Sequence, residues 1–281
     1  MALLILLCGS PAPGALPDDA QVEKVGAIPT RGELRVLDAL AESILPVDST
    51  PSLDEIAAQP DVEHLGTPAF APQEVPEPLR VVVVGSDGAL SAVLTRMMRA
   101  DYMWVEVSFV PVGPSPARQN WGIPEDPQAA LELALRGQVR PVPLIRNDAG
   151  LAVAGSAVIA QWERAEITGE IIVDNEVLLR QGPGKGAWGA RLVPMLDAPG
   201  IVAARALGPL DPAPRGIGRF LAQVLRRPIP GRLDPQSVLT GRAVQAGGPQ
   251  LRVLVDGVSA KRPLKRVTFY RHLRDLQVVR P

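Results

Sequence analysis

The run Leu79-Arg80-Val81-Val82-Val83-Val84-Gly85-Ser86-Asp87-Gly88-Ala89-Leu90 restricts the fold more than any other stretch of the chain. Four consecutive valines behind a Pro-rich lead-in predict a strand buried on both faces, as in a parallel sheet. Gly85 and Gly88 predict a sharp turn before a helix over 89–100, where Leu90, Val93, Leu94, Met97 and Met98 recur at helical spacing. Such a strand, turn and helix aim backbone N–H groups and the positive end of a helix dipole at whatever lies over the turn, an arrangement suited to phosphate or another anion. The same turn also joins strands to helices in folds that bind nothing there.

A chain of 281 residues is long enough for two domains, and its charges suggest where to divide it. Up to residue 137 there are 8 Lys and Arg against 19 Asp and Glu; beyond it there are 21 against 11. The net charge of −1 therefore hides an acidic first half and a basic second half. The basic half can lie against the acidic one, or face an anionic membrane surface or nucleic acid. Aromatic residues make up only 4%, which gives no stacking platform for single-stranded nucleic acid, and nucleic acid is not an expected partner. Cys8 is the only cysteine, so an intramolecular disulfide and a cysteine-built zinc site are excluded and a reducing compartment is expected. His64 and His272 stand alone, without the paired spacing of a zinc hydrolase.

Met1–Cys8 lacks the basic start of a secretory signal and reads as a buried first strand. No apolar run reaches the ~18–20 residues of a membrane span. Thr30-Arg31-Gly32-Glu33 has the form of a capping box opening a helix that carries Leu34, Leu37, Leu40 and Ile44, and Ser52–Glu55 offers a second capped start. A strand over 103–112, a turn over 111–116 and a short helix over 127–135 closed by Gly137 complete an alternating β-α pattern. From Pro141 the texture changes to short strand candidates at 141–147, 151–160, 170–174, 176–181, 192–196, 201–206, 237–244, 251–255, 266–270 and 276–279, with one helix at 217–226. The expected architecture is thus an α/β domain over 1–137 with an open, largely parallel sheet, followed by an all-β sandwich over 138–281 whose last strand can return to the first domain.

In this order the motifs resemble the diacylglycerol kinase catalytic-domain family, which includes sphingosine kinases and bacterial lipid kinases. Ser10-Pro11-Ala12-Pro13-Gly14 matches the spacing of the family's N-P-x-[SA]-G, and Gly85-Ser86-Asp87-Gly88-Ala89 its phosphate-binding G-G-D-G-T. Pro111-Val112-Gly113 through Arg118, then Gly122-Ile123-Pro124, echo P-x-G-T-x-N-D-F-A-R-x-L-G-I-P. Val173-Asp174-Asn175, the glycine-rich 182–189, and Leu251–Gly257 with Pro263 and Leu276–Pro281 echo later segments. The resemblance implies a two-domain fold of the NAD kinase and diacylglycerol kinase type. It also implies an ATP and Mg2+ site containing Ser10, Gly85, Ser86, Asp87, Gly88, Ala89, Gly113 and Arg118, and phosphorylation of a lipid hydroxyl. A cytoplasmic protein is expected, meeting a lipid substrate or membrane surface at the inner membrane face, with a homodimer as one permitted assembly.

The sequence also departs from that pattern. Ala89 lacks the family's hydroxyl, Ser10 replaces an asparagine, and Pro114 replaces a threonine and has no N–H to offer phosphate. The Asn-Asp pair is missing from Ser115-Pro116-Ala117, and Pro199 stands where the family's proposed general base would be. Asp197, two residues earlier, is then either a substitute base or an ordinary turn carboxylate. Asp87 reads as a nucleotide-site residue or a helix cap, and Arg118 as a phosphate contact or a turn contact. Gly182-Pro183-Gly184-Lys185-Gly186 lacks the frame of a Walker loop and reads as a hairpin. Two functions follow: an altered lipid kinase, or a noncatalytic relative that binds nucleotide, lipid or protein.

Overall fold

The valine run is strand β3 (Leu79–Gly85 in chain order after two earlier strands), and Val81 to Val84 are wholly removed from solvent. In the computed structural model, which describes residues 1–45, 66–182, 186–210 and 231–281, the chain divides into two units. The first comprises Met1–Leu144, Leu196–Ala198 and His272–Pro281; the second comprises Ile145–Met195 and Pro199–Arg271.

The first unit is built on a six-stranded sheet. Its strands are β1 (Ala2–Cys8), β2 (Gln21–Val25), β3, β4 (Glu106–Pro111), β5 (Val139–Val142) and β17 (Leu276–Val279), in the order β2-β1-β3-β4-β17-β5. All neighbours are parallel except β17 and β5. Covering the sheet are α1 (Arg35–Ile44), α2 (Asp87–Ala100), α3 (Pro116–Trp121) and α4 (Pro127–Arg136). On α2 the side chains of Leu90, Val93, Leu94 and Met97 are fully buried, as their spacing predicts.

Polar groups in this unit are matched to specific partners. Arg80, buried on β3, sets its Nε 2.7 Å from Glu106 Oε2 and donates from Nη1 and Nη2 to the carbonyls of Ala134 (3.3 Å), Leu135 (3.0 Å) and Gly137 (3.1 Å). It thereby satisfies the C-terminal carbonyls of α4 that no helical N–H can reach. Asp38 on α1 takes a two-pronged contact from Arg96 on α2, at 2.7 and 2.8 Å, and also accepts from the Tyr102 hydroxyl. Burial and Asp38 together push the Tyr102 phenol well above its ordinary range. Glu33 accepts from Thr30 N, Thr30 Oγ1 and Gly26 N, and these bonds hold its carboxyl below the usual range. The expected capping box therefore forms, although the regular helix begins two residues later, at Arg35.

Among its described residues the second unit is built of β-strands, every pairing antiparallel, with one 3-10 turn at Pro235–Ser237. It contains β6 (Ile145–Asn147), β7 (Ala152–Val153), β8 (Ala157–Gln161), β9 (Gly169–Val173), β10 (Glu176–Gln181), β11 (Gly189–Pro194) and β12 (Ile201–Ala206). β13 (Leu239–Gly241), β14 (Ala243–Val255), β15 (Val258–Ser259) and β16 (Leu264–Arg271) complete it. The 13-residue β14 organises this unit: one edge pairs with β16, while the other pairs first with β9 and then with β8. A register shift between Gly247 and Leu251 bends the strand where its partner changes. Ile159, Ile171, Leu192, Ile201, Val244, Leu251 and Phe269 are among the fully buried members of the core. Asp256 and Gly257, both with positive φ, make the two-residue turn between β14 and β15. The Asp256 carboxylate accepts from the backbone N–H groups of Ala154, Gly155 and Ser156 at 2.7–2.9 Å.

Several boundaries differ from the sequence expectation for identifiable reasons. The expected division at 137 precedes β5, which belongs to the first sheet; the 141–147 run is two strands in two different sheets. Pro141 is tolerated in β5 because that strand lies on the sheet edge. The sequence pattern marks no strand over 21–25, yet β2 forms there; its exposed Gln21, Val22 and Lys24 are those of an edge strand paired on one side only. The expected helices at 52–55 and 217–226 lie outside the described residues, as does most of the 182–186 glycine run.

Candidate functional site at the carboxyl edge of the first sheet

Strands β1, β3 and β4 run parallel and end nearly level, with Leu7 opposite Val84 and Gly85 opposite Pro111. The chain leaves β1 toward β2 on one side and leaves β3 toward β4 on the other. The carboxyl ends of β1 and β3 thus flank the point where the winding reverses, where open α/β sheets form a crevice. Ser10, the Gly85–Ala89 turn and the Gly113–Arg118 segment all emerge at this edge.

Gly85 is required by proximity. A Cβ there would lie 2.8 Å from Cys8 Cβ and 3.2 Å from Ala89 Cβ. Gly85→Ala is expected to lower stability by about 1–3 kcal/mol in urea unfolding. Adding Cys8→Gly should recover part of that loss; no recovery would mean that the strain lies elsewhere. Gly88, expected to help form the turn, is instead buried inside the first turn of α2, which begins at Asp87.

Ser86 is the N-cap of α2: its Oγ accepts from Ala89 N at 3.3 Å, so the Ala89 N–H is already engaged. Gly88 N–H, in the first turn, has no intrahelical acceptor and lies at the positive end of the helix. The buried Asp87 carboxylate reaches across to the next loop, accepting from the Ser115 hydroxyl through Oδ1 and from Ala117 N at 2.9 Å through Oδ2. Ser115 Oγ in turn accepts from Arg118 N at 2.9 Å and caps α3. Asp87 therefore ties the start of α2 to the start of α3.

The remaining expected site residues occupy different settings. Gly113 has φ +82 and open space where a Cβ would be, so the chain can approach a ligand closely there. Arg118 is turned to its own loop, donating to Ile123 O at 3.5 Å and lying 3.9 Å from a Glu125 carboxylate oxygen. Ser10 is half-buried in the bend after β1, and Gly14 in the same loop packs so closely on Gln128 that a Cβ would come within 2.3 Å of its Oε1. Asp197 is exposed, accepts from Ala198 N at 2.9 Å, and faces Arg280, whose guanidinium is depressed by burial and by Arg140 and supported by Asp197. None of these Asp197 contacts involves the Gly85–Arg118 cluster, and they are those of a turn carboxylate.

Cys8 lies beneath the turn with its thiol pushed up to about 12, by burial first and by Glu33 second. Alkylation of native protein at pH 8 should therefore run on the order of 1,000-fold slower than for a free thiol, because thiolate is the reacting form. Alkylation at the free-thiol rate would contradict this burial.

The donor set does not suit the magnesium ion that the family resemblance implies. The turn offers one carboxylate, Asp87, and both of its oxygens already accept hydrogen bonds from Ser115 and Ala117. Among the described residues no three Asp, Glu, His or Cys side chains gather to hold a metal. Of the residues that fix Asp87, Ser115 falls in the turn expected over 111–116 and Ala117 in the segment that echoes the family motif; neither reading joins them to Asp87. The signal for them was Ser115 before Pro116, an N-cap followed by proline at the first helical position.

No family model and no curated protein matches the chain. Solved structures do match, along its whole length. A diacylglycerol kinase from Bacillus anthracis str. Sterne superposes with TM-score 0.60 at 10% identity, covering 100% of this chain and 97% of that one. Two putative diacylglycerol kinases from the same organism give TM-scores of 0.62 and 0.58, each at 11% identity, covering 100% of this chain and 97% and 98% of theirs. The chain has the diacylglycerol kinase fold. In that fold its glycine turn follows a central strand of the first sheet, and the positions expected to carry phosphate chemistry hold Ala89, Pro114 and an engaged Asp87.

Proposed function

We propose that the protein is a diacylglycerol-kinase-type phosphotransferase that binds ATP at the carboxyl edge of its first sheet and phosphorylates a lipid hydroxyl. The observation that carries this reading is the coincidence of a whole-length kinase fold with a tight glycine turn at the switch point between β1 and β3. The Gly88 N–H and the dipole of the 14-residue α2 attract phosphate oxygens, and Gly113 lets the neighbouring loop come close. Magnesium would neutralise charge on the phosphates in such a reaction. The residues present supply no evident ligand set for it, so no step is assigned to it.

A second reading is favoured by the Asp87 contacts: a noncatalytic relative in which the turn still binds nucleotide while its carboxylate serves the fold. Thermal unfolding with ATP, with and without magnesium, combined with phosphate transfer from ATP to a panel of diacylglycerol and sphingoid acceptors, separates the two. A ligand that binds only the native state raises the midpoint. Transfer above the protein-free blank supports the kinase. A shifted midpoint without transfer selects the binding module, and no shift at millimolar ATP removes both.

A further inference from the structure

We propose that the β14–β15–β16 hairpin of the second unit is an electrostatic contact for a membrane surface rich in anionic lipid. After the Asp256-Gly257 turn the chain carries Lys261, Arg262, Lys265 and Arg266, all exposed, within six residues. Among the described residues none of the four forms an ion pair. No Asp or Glu occurs between Asp256 and Asp275, and Asp256 is directed onto the amides of Ala154, Gly155 and Ser156. Glu170 lies across Gly247 from Arg266, but Arg180 already pairs with it; Glu163 is followed at once by Arg164.

Among the described residues the positive field is therefore uncompensated locally. Leu264, between the two pairs of cations, packs against the core, while Val258 at the tip is 47% exposed. Lys261 and Arg262 stand in the bend between β15 and β16, and Lys265 and Arg266 are exposed on alternate faces at the start of β16. This end of the hairpin thus presents cations beside an exposed aliphatic tip, which suits phosphate headgroups over a shallow apolar boundary. A polynucleotide would favour aromatic base-stacking side chains, and no aromatic residue lies among residues 256–266.

The test is partition of the full chain onto sedimenting vesicles of phosphatidylcholine alone or with 30% phosphatidylglycerol, without nucleotide. Binding is expected only to the anionic vesicles and is expected to weaken as salt rises. At roughly fivefold per cation, replacing Lys261, Arg262, Lys265 and Arg266 with Gln should weaken partition by about 600-fold. Replacing the exposed Lys24, Arg31, Arg35 and Arg136 of the first unit should leave it within about twofold. Equal losses from both sets, equal binding to neutral vesicles, or tighter binding to duplex DNA than to anionic vesicles would overturn the proposal.

Should the first variant not fold, lysine acetylation of the native protein decides. Vesicles should protect Lys261 and Lys265 but not Lys24; uniform protection or none would refute the contact. Because no step involves ATP, failure here leaves the kinase reading untouched, and failure of nucleotide binding leaves this one standing.

Discussion

Arg80→Met is expected to lower the stability of the first unit by about 3–5 kcal/mol, the largest effect of any single substitution considered for it. The change strands the Glu106 carboxylate, whose side chain is only 20% exposed, and leaves the carbonyls of Ala134, Leu135 and Gly137 without their donor. Removing one partner of such an arrangement costs more than replacing both, because an unpaired charge then remains in a poorly hydrated place. The double variant Arg80→Met, Glu106→Gln should therefore lose less than Arg80→Met alone. Calorimetry should show the single variant melting on the order of 10 °C lower. A loss under 1 kcal/mol would mean that solvent or another side chain already satisfies the end of α4.

Asp87→Ala should cost about 2–4 kcal/mol, since a buried carboxylate with two charge-assisted hydrogen bonds is removed and Ser115 and Ala117 lose their acceptor. Asp87→Asn, which keeps one acceptor oxygen, should lose less. The pair of variants distinguishes two roles that the same position could hold. If Asp87 chiefly ties α2 to α3, stability falls in both variants, in order of acceptor loss. If it chiefly served a nucleotide, Asp87→Ala would melt with the parent while losing the ATP-induced shift, and the assignment made here would be wrong.

What could be read in the sequence was local or repetitive. The turn after Val84 and the helix behind it follow from consecutive residues, and the antiparallel second half follows from many short apolar runs between turn residues. What could not be read depends on partners distant in the chain. Asp87 meets Ser115 and Ala117 across about thirty intervening positions, and only the folded sheet brings those loops together. β2 was hidden because an edge strand with one paired side has little need of apolar alternation. The 141–147 run looked continuous because side-chain hydropathy does not record that its halves join different sheets.

Strand β17 lies between β4 and β5, although more than 130 residues separate it from either in the chain. During synthesis the first sheet must therefore wait, with β5 lacking its neighbour, until the whole second unit has left the ribosome. The antiparallel unit, whose described strand pairings lie within 145–271, can complete itself first. Nascent chains arrested before residue 276 should thus hold a protease-resistant second half beside a digestible first half, an inversion of the usual N-to-C order of domain maturation.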